Sequence, residues 1–164
     1  MTVEIAMLFW AAVLGLVQVG AQSFAYKRQE GNAYTVGARD EHRPATGLAG
    51  RMERALRNYL ETFPIFAAVI LAVYATDRSN TWSEIGAQVY FWGRLAYLPA
   101  YAVGLPWVRT FIWQIATVGI VLCMVPLFDR DLDLARAALG RLGVVPERRV
   151  GDGHGLVEAD EDRV

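Results

Sequence analysis

Between Glu4 and Lys27 the chain carries 22 consecutive uncharged residues, IAMLFWAAVLGLVQVGAQSFAY. A helix of about 20 residues crosses a hydrocarbon core of about 30 Å, so this run alone has membrane-spanning length. It has no basic segment ahead of it and exceeds the apolar stretch of a signal peptide, so it reads as a retained helix rather than a targeting segment. Gln18 and Gln22 lie one turn apart and are predicted to face other protein, because lipid offers an amide no partner.

Three further runs follow, and the second is too short. Thr62 to Thr76 holds 15 uncharged residues, about 22 Å of helix. To span, this helix extends backwards through Glu61, Asn58, Arg57 and Arg54, which draws charge into the membrane, and Pro64 is expected to kink it. The third run extends from near Trp82 to near Gly104, with Arg94 close to its midpoint and Pro99 beyond it. The fourth, Thr110 to Phe128, has 19 uncharged residues. Gly104-Leu105-Pro106 is so short a linker that helices three and four form an antiparallel hairpin. The fold expected is all-α, an integral membrane four-helix bundle over residues 1–128.

Residues 129–164 form a different segment, with six basic and nine acidic side chains. Leu132, Ala135, Ala138, Leu139 and Leu142 recur at roughly helical spacing, which predicts a short helix on the membrane surface. From Pro146 onwards glycine and charge dominate, and disorder is expected. The whole chain has a net charge of −1, without the basic surplus of a nucleic-acid binder. Its one cysteine, Cys123, lies in an apolar run, and His42 and His154 have no partners at metal-ligand spacing, so no metal site is expected. Lys27, Arg28, Arg39 and Arg43 concentrate in the first loop, which favours a cytoplasmic first loop and both termini outside.

The charges drawn into the membrane carry the chemistry. Arg54, Arg57, Asn58 and Glu61 follow one another at i, i+3, i+4 and i+7, so they share one helix face. Arg94, Tyr97 and Tyr101 repeat that spacing on the third helix, and Arg109 with Thr110 heads the fourth. Arg54 and Arg57 snorkelling to headgroups, with Glu61 locked to Arg57 or Arg94, is the purely structural reading. It leaves several arginines against one acid, and a surplus of arginine inside a membrane protein points to an absent anion with carboxylates or phosphates.

Arg54-x-x-Arg57-Asn58-x-x-Glu61-Thr62-x-Pro64, followed by Gly93-Arg94-x-x-Tyr97-x-x-x-Tyr101 and then Gly104, Pro106, Arg109 and Thr110, resembles the MAPEG family, membrane-associated proteins in eicosanoid and glutathione metabolism. Its glutathione transferase and prostaglandin E synthase branches are the most similar. The resemblance implies a homotrimer in contact with membrane lipids, with glutathione as co-substrate bound between protomers. Arg54, Arg57, Asn58, Glu61, Arg94, Tyr97 and Tyr101 would hold glutathione, and Arg109 with Thr110 would face its sulfur. The activity implied is thiolate conjugation to a lipophilic electrophile, or lipid hydroperoxide reduction, at a site in the cytoplasmic half of the membrane. The chain departs from the family at Leu56, Tyr97, Thr110 and Trp113, where a polar residue, histidine, serine and tyrosine occur in other members. A non-catalytic lipid-binding scaffold of the same fold is the alternative, and a small proton-coupled exporter built on Glu61 the third.

Overall fold

In a computed structural model of the chain, the described residues are 1–38 and 40–141, with side chains described to Phe128. They form five helices: α1 (Val3–Glu30), α2 (Asn32–Val36), α3 (Gly47–Ala75), α4 (Thr81–Val103) and α5 (Pro106–Arg141). The expected backward extension of the second apolar run is present, since α3 begins at Gly47 and carries Arg51, Arg54, Arg57 and Glu61 on its first half. Pro64 and Pro99 lie inside uninterrupted helices. In place of a separate short helix after Phe128, α5 runs on to Arg141. The disorder expected from Pro146 onwards falls outside the described residues.

Local chemistry sets the helix ends. Thr2 caps α1 by accepting from the Ile5 amide. Asn80 and Ser83 cap α4 reciprocally, each side chain bonding the other residue's backbone amide. Gly104 ends α4 at a φ of +86°, a left-handed conformation that glycine enters without steric cost. Pro106 then opens α5 after a two-residue link, which produces the expected tight hairpin.

Three helices are long and apolar enough to cross a membrane: α1, α3 and the Pro106–Phe128 part of α5. At 23 residues α4 has the length. Its apolar character is diluted by Glu84, Gln88, Arg94 and the tyrosines Tyr90, Tyr97 and Tyr101, and it falls short by composition. Large apolar side chains such as Leu16, Trp92, Trp107 and Phe111 cover the outside, as lipid requires, and the interior mixes aromatic and small residues. Ala11, Phe66, Ile70, Ala87, Tyr90, Ala116 and Cys123 form a core to which all four long helices contribute. Phe66 stacks on Tyr90 with centroids 3.9 Å apart.

The backbones of α4 and α5 approach closely at Gly86 and Gly119. A β-carbon on Gly86 would lie 2.6 Å from the Gly119 carbonyl oxygen. At one end of the molecule, Arg78 donates to the Pro126 carbonyl at 3.1 Å. At the other, Arg51 Nε donates to the Ala102 carbonyl at 2.9 Å and ties the start of α3 to the end of α4. This second tie brings the charged half of α3 alongside the Arg94–Tyr101 half of α4.

Candidate functional site

Each sequence-predicted site residue lies on α3, on α4 or at the head of α5, and they divide into an inner row and an open flank. Arg94 is the centre of the inner row and only 1% exposed. Its Nη1 donates to Asn58 Oδ1 at 2.7 Å, and its Nη2 donates to the Asn58 carbonyl at 3.3 Å and to Thr62 Oγ1. The guanidinium lies 5.5–5.9 Å from the ring centroids of Tyr59, Tyr90 and Tyr97. Tyr97 and Tyr101 are buried with centroids 5.3 Å apart, and Arg109 sits 4.9 Å from the Tyr101 ring centroid. Asn58, Arg94, Tyr97, Tyr101 and Arg109 thus form a continuous line of contacts.

Arg54, Arg57 and Glu61 stand on the open side of α3 and are exposed. Arg57 Nη2 pairs with Glu53 at 3.3 Å, one turn earlier. The Glu61 lock to Arg57 or Arg94 is absent, and Glu61 makes no ion pair among the described residues. Glu53, Leu56, Arg57, Leu60 and Glu61 line a shallow groove of about 400 Å³ along this flank. Thr110 is exposed, and its hydroxyl donates to the Pro106 carbonyl at 3.0 Å within the first turn of α5. In this region Arg51, Arg54, Arg94 and Arg109 make no ion pair among the described residues, and of the four only Arg94 is buried.

A second groove, about 430 Å³, opens in the loop between α1 and α3. Gln22, Tyr26, Tyr34, His42, Arg43 and Glu53 are among its lining residues, so Glu53 borders both grooves. The loop is tied down by Tyr26 donating to the Arg43 carbonyl at 2.7 Å and by Arg43 pairing with Glu41 and Glu30 at 2.8 and 3.4 Å. Those two carboxylates, Glu41 first, raise the Arg43 pKa above its usual value.

Several contacts escaped the sequence reading. Thr62 carries no charge to single it out in the sequence, although its i+4 relation to Asn58 places both on the face that meets Arg94. The short helix α2 and the Tyr26–Arg43 tie lie in a loop without periodicity. Glu4 borders the first apolar run in the sequence, yet it is 1% exposed and accepts from the Ser83 hydroxyl at 2.7 Å. Gln18 is buried as expected, and Gln22 lines the loop groove. Among the described residues no three His, Cys, Asp or Glu side chains converge to hold a metal ion.

A family model described as the MAPEG family matches residues 5–128 of the chain. Among curated proteins none matches.

Proposed function

This chain belongs to the MAPEG family and is a membrane protein of glutathione and eicosanoid metabolism; on that premise we propose that it is a glutathione-dependent enzyme acting on lipophilic electrophiles or lipid hydroperoxides, in the manner of the family's glutathione transferases. One observation carries the reading. Arg51, Arg54, Arg94 and Arg109, none of them in an ion pair among the described residues, collect beside an exposed Arg57 and an exposed Glu61 that likewise makes no ion pair among them. Glutathione carries two carboxylates and one ammonium, the charges that such a set matches.

In this reading α4 crosses the membrane with the other three long helices, and the chain works as a homotrimer. Support for the trimer comes from Arg57 and Glu61, which lie on the surface of one chain in a segment of membrane-spanning length. Charged groups there are costly against lipid, and a second protomer covering the groove relieves the cost. The site belongs to the cytoplasmic half, where glutathione arrives, since the basic first loop lies at that end.

Arg57 and Asn58 bind the glutathione backbone, Glu61 meets its ammonium, and Arg54, Tyr97 and Tyr101 shape the pocket. Arg109 and Thr110 face the sulfur. A guanidinium beside the thiol lowers its pKa from about 8.5 and raises the thiolate fraction at neutral pH. The thiolate then attacks the electrophilic carbon, forming a C–S bond as the leaving group departs with its electron pair. With a lipid hydroperoxide, the same thiolate attacks the distal peroxide oxygen, forming the S–O bond of glutathione sulfenic acid as the O–O bond breaks and the alkoxide leaves to be protonated to the alcohol. A second glutathione thiol then displaces water from the sulfenic acid and gives glutathione disulfide.

The test is the rate of conjugation to 1-chloro-2,4-dinitrobenzene in Arg109→Ala. A loss of about 10²-fold in kcat is expected, with the pH profile moved to higher pH, as removal of one electrostatic stabiliser does elsewhere. An unchanged rate in folded protein overturns the catalytic role. A folded protein that takes up lipid but no glutathione supports the scaffold reading.

A further inference from the structure

Arg94 was expected to contact the ligand, yet both of its terminal nitrogens donate into its own chain, and only the buried Nε has no partner among the described residues. Nη1 and Nη2 are occupied by Asn58 and Thr62, three tyrosine rings surround the guanidinium, and the residue is 1% exposed. The consequence falls on Asn58. A guanidinium has donors and no acceptor, so the amide atom facing Arg94 at 2.7 Å must be the oxygen. The asparagine NH2 is therefore directed away from Arg94. Asn58 is half-buried, and its NH2 has no hydrogen-bond partner among the described residues. Glu61 lies three positions beyond Asn58, about 60° of rotation around the helix, so the amide stands at the edge of the open flank.

We propose that Arg94 is a positioning residue, which fixes Asn58 with its NH2 outward so that the ligand atom received there is an acceptor, a carboxylate or amide carbonyl oxygen. Glu61, one turn on, takes the opposite charge. The two side chains then read the polarity of a zwitterionic ligand along α3. The identity of the ligand rests on the glutathione reading; the hold of Arg94 on Asn58 does not.

Two measurements on full-length protein in detergent test this. In the first, glutathione affinity is measured for wild type, Asn58→Asp, Arg94→Lys and the double variant, each checked by thermal unfolding. Asn58→Asp keeps an acceptor for Arg94 and removes the outward donor, so affinity falls about tenfold to a hundredfold while the unfolding temperature is maintained. Arg94→Lys weakens binding in the wild-type background and adds no further loss in Asn58→Asp, because it acts through Asn58. Additive losses show Arg94 touching the ligand itself and overturn the proposal. Should Arg94→Lys fail to fold, wild-type affinity in folded Asn58→Asp is equally decisive against it.

The second is independent of glutathione. In protein labelled with ¹⁵N-asparagine, the Asn58 side-chain NH2, identified by its disappearance in Asn58→Asp, exchanges with water in the ligand-free state. An NH2 protected from water overturns the held orientation. Free exchange in a protein without glutathione affinity upholds Arg94's hold and rejects only the ligand.

Discussion

Ser83 donates its hydroxyl to Glu4 Oε1 at 2.7 Å, joining the first turn of α1 to the first turn of α4. Both side chains are buried, and Glu4 Oε2 has no partner among the described residues. The same serine offers its carbonyl to the Cys123 thiol at 3.6 Å, so three helices meet at this residue. A buried carboxylate is sensitive to losing a hydrogen-bond donor, because the desolvation cost remains when the hydrogen bond is gone.

Ser83→Ala is therefore expected to lower stability by about 1–3 kcal/mol. Glu4→Gln, which keeps an oxygen for Ser83 and removes the buried charge, should cost less. Thermal unfolding in detergent ranks the two, and the reverse order contradicts this account of the contact.

The close approach of α4 and α5 gives a steric prediction with a built-in control. A β-carbon at Gly86 would meet the Gly119 carbonyl at 2.6 Å and both the Cys123 nitrogen and sulfur at 2.8 Å, largely unyielding backbone. Gly86→Ala should separate the helices at a cost of about 1–3 kcal/mol or more. Nothing lies within 4 Å of a β-carbon at Gly20 in α1, so Gly20→Ala is expected to be neutral or stabilising by up to about 1 kcal/mol.

Tyr59 separates stability from function on the inner row. Its hydroxyl donates to the Ala11 carbonyl of α1, and its ring flanks Arg94 and stacks on Phe63 at 5.5 Å. Tyr59→Phe keeps the ring and loses only the hydrogen bond, so about 0.5–1.5 kcal/mol of stability should go while glutathione affinity is retained. An affinity loss without a stability loss contradicts a purely structural hydroxyl.

How much of this was readable in the sequence follows from the range of the interactions. The long helices were legible because apolar runs and the spacing of Arg54, Arg57, Asn58 and Glu61 are local periodic signals. The tight hairpin was legible because Gly104-Leu105-Pro106 leaves no other path. The pairing of Arg57 with Glu53 rather than Glu61 was not, since both acids stand one turn away and only side-chain packing selects between them. Nor was the Glu4–Ser83 contact, whose partners lie 79 residues apart with no periodicity to connect them. That the candidate residues fall on α3, on α4 and at the head of α5 was legible; their division into a buried row and an open flank depended on how α3 and α4 are rotated against each other.

Arg57 and Glu61 bear the central claim, that the open flank of α3 binds glutathione. Both are exposed, and the Arg57–Glu53 pair, with side chains 68% and 45% exposed, contributes little to folding. Calorimetric titration of glutathione into detergent-purified wild type, Arg57→Ala and Glu61→Gln is the most direct test. The account predicts saturable binding to wild type and at least tenfold weaker binding to each variant, with unfolding temperatures unchanged. A folded wild type that releases or absorbs no heat of binding, or variants that bind as it does, would contradict it.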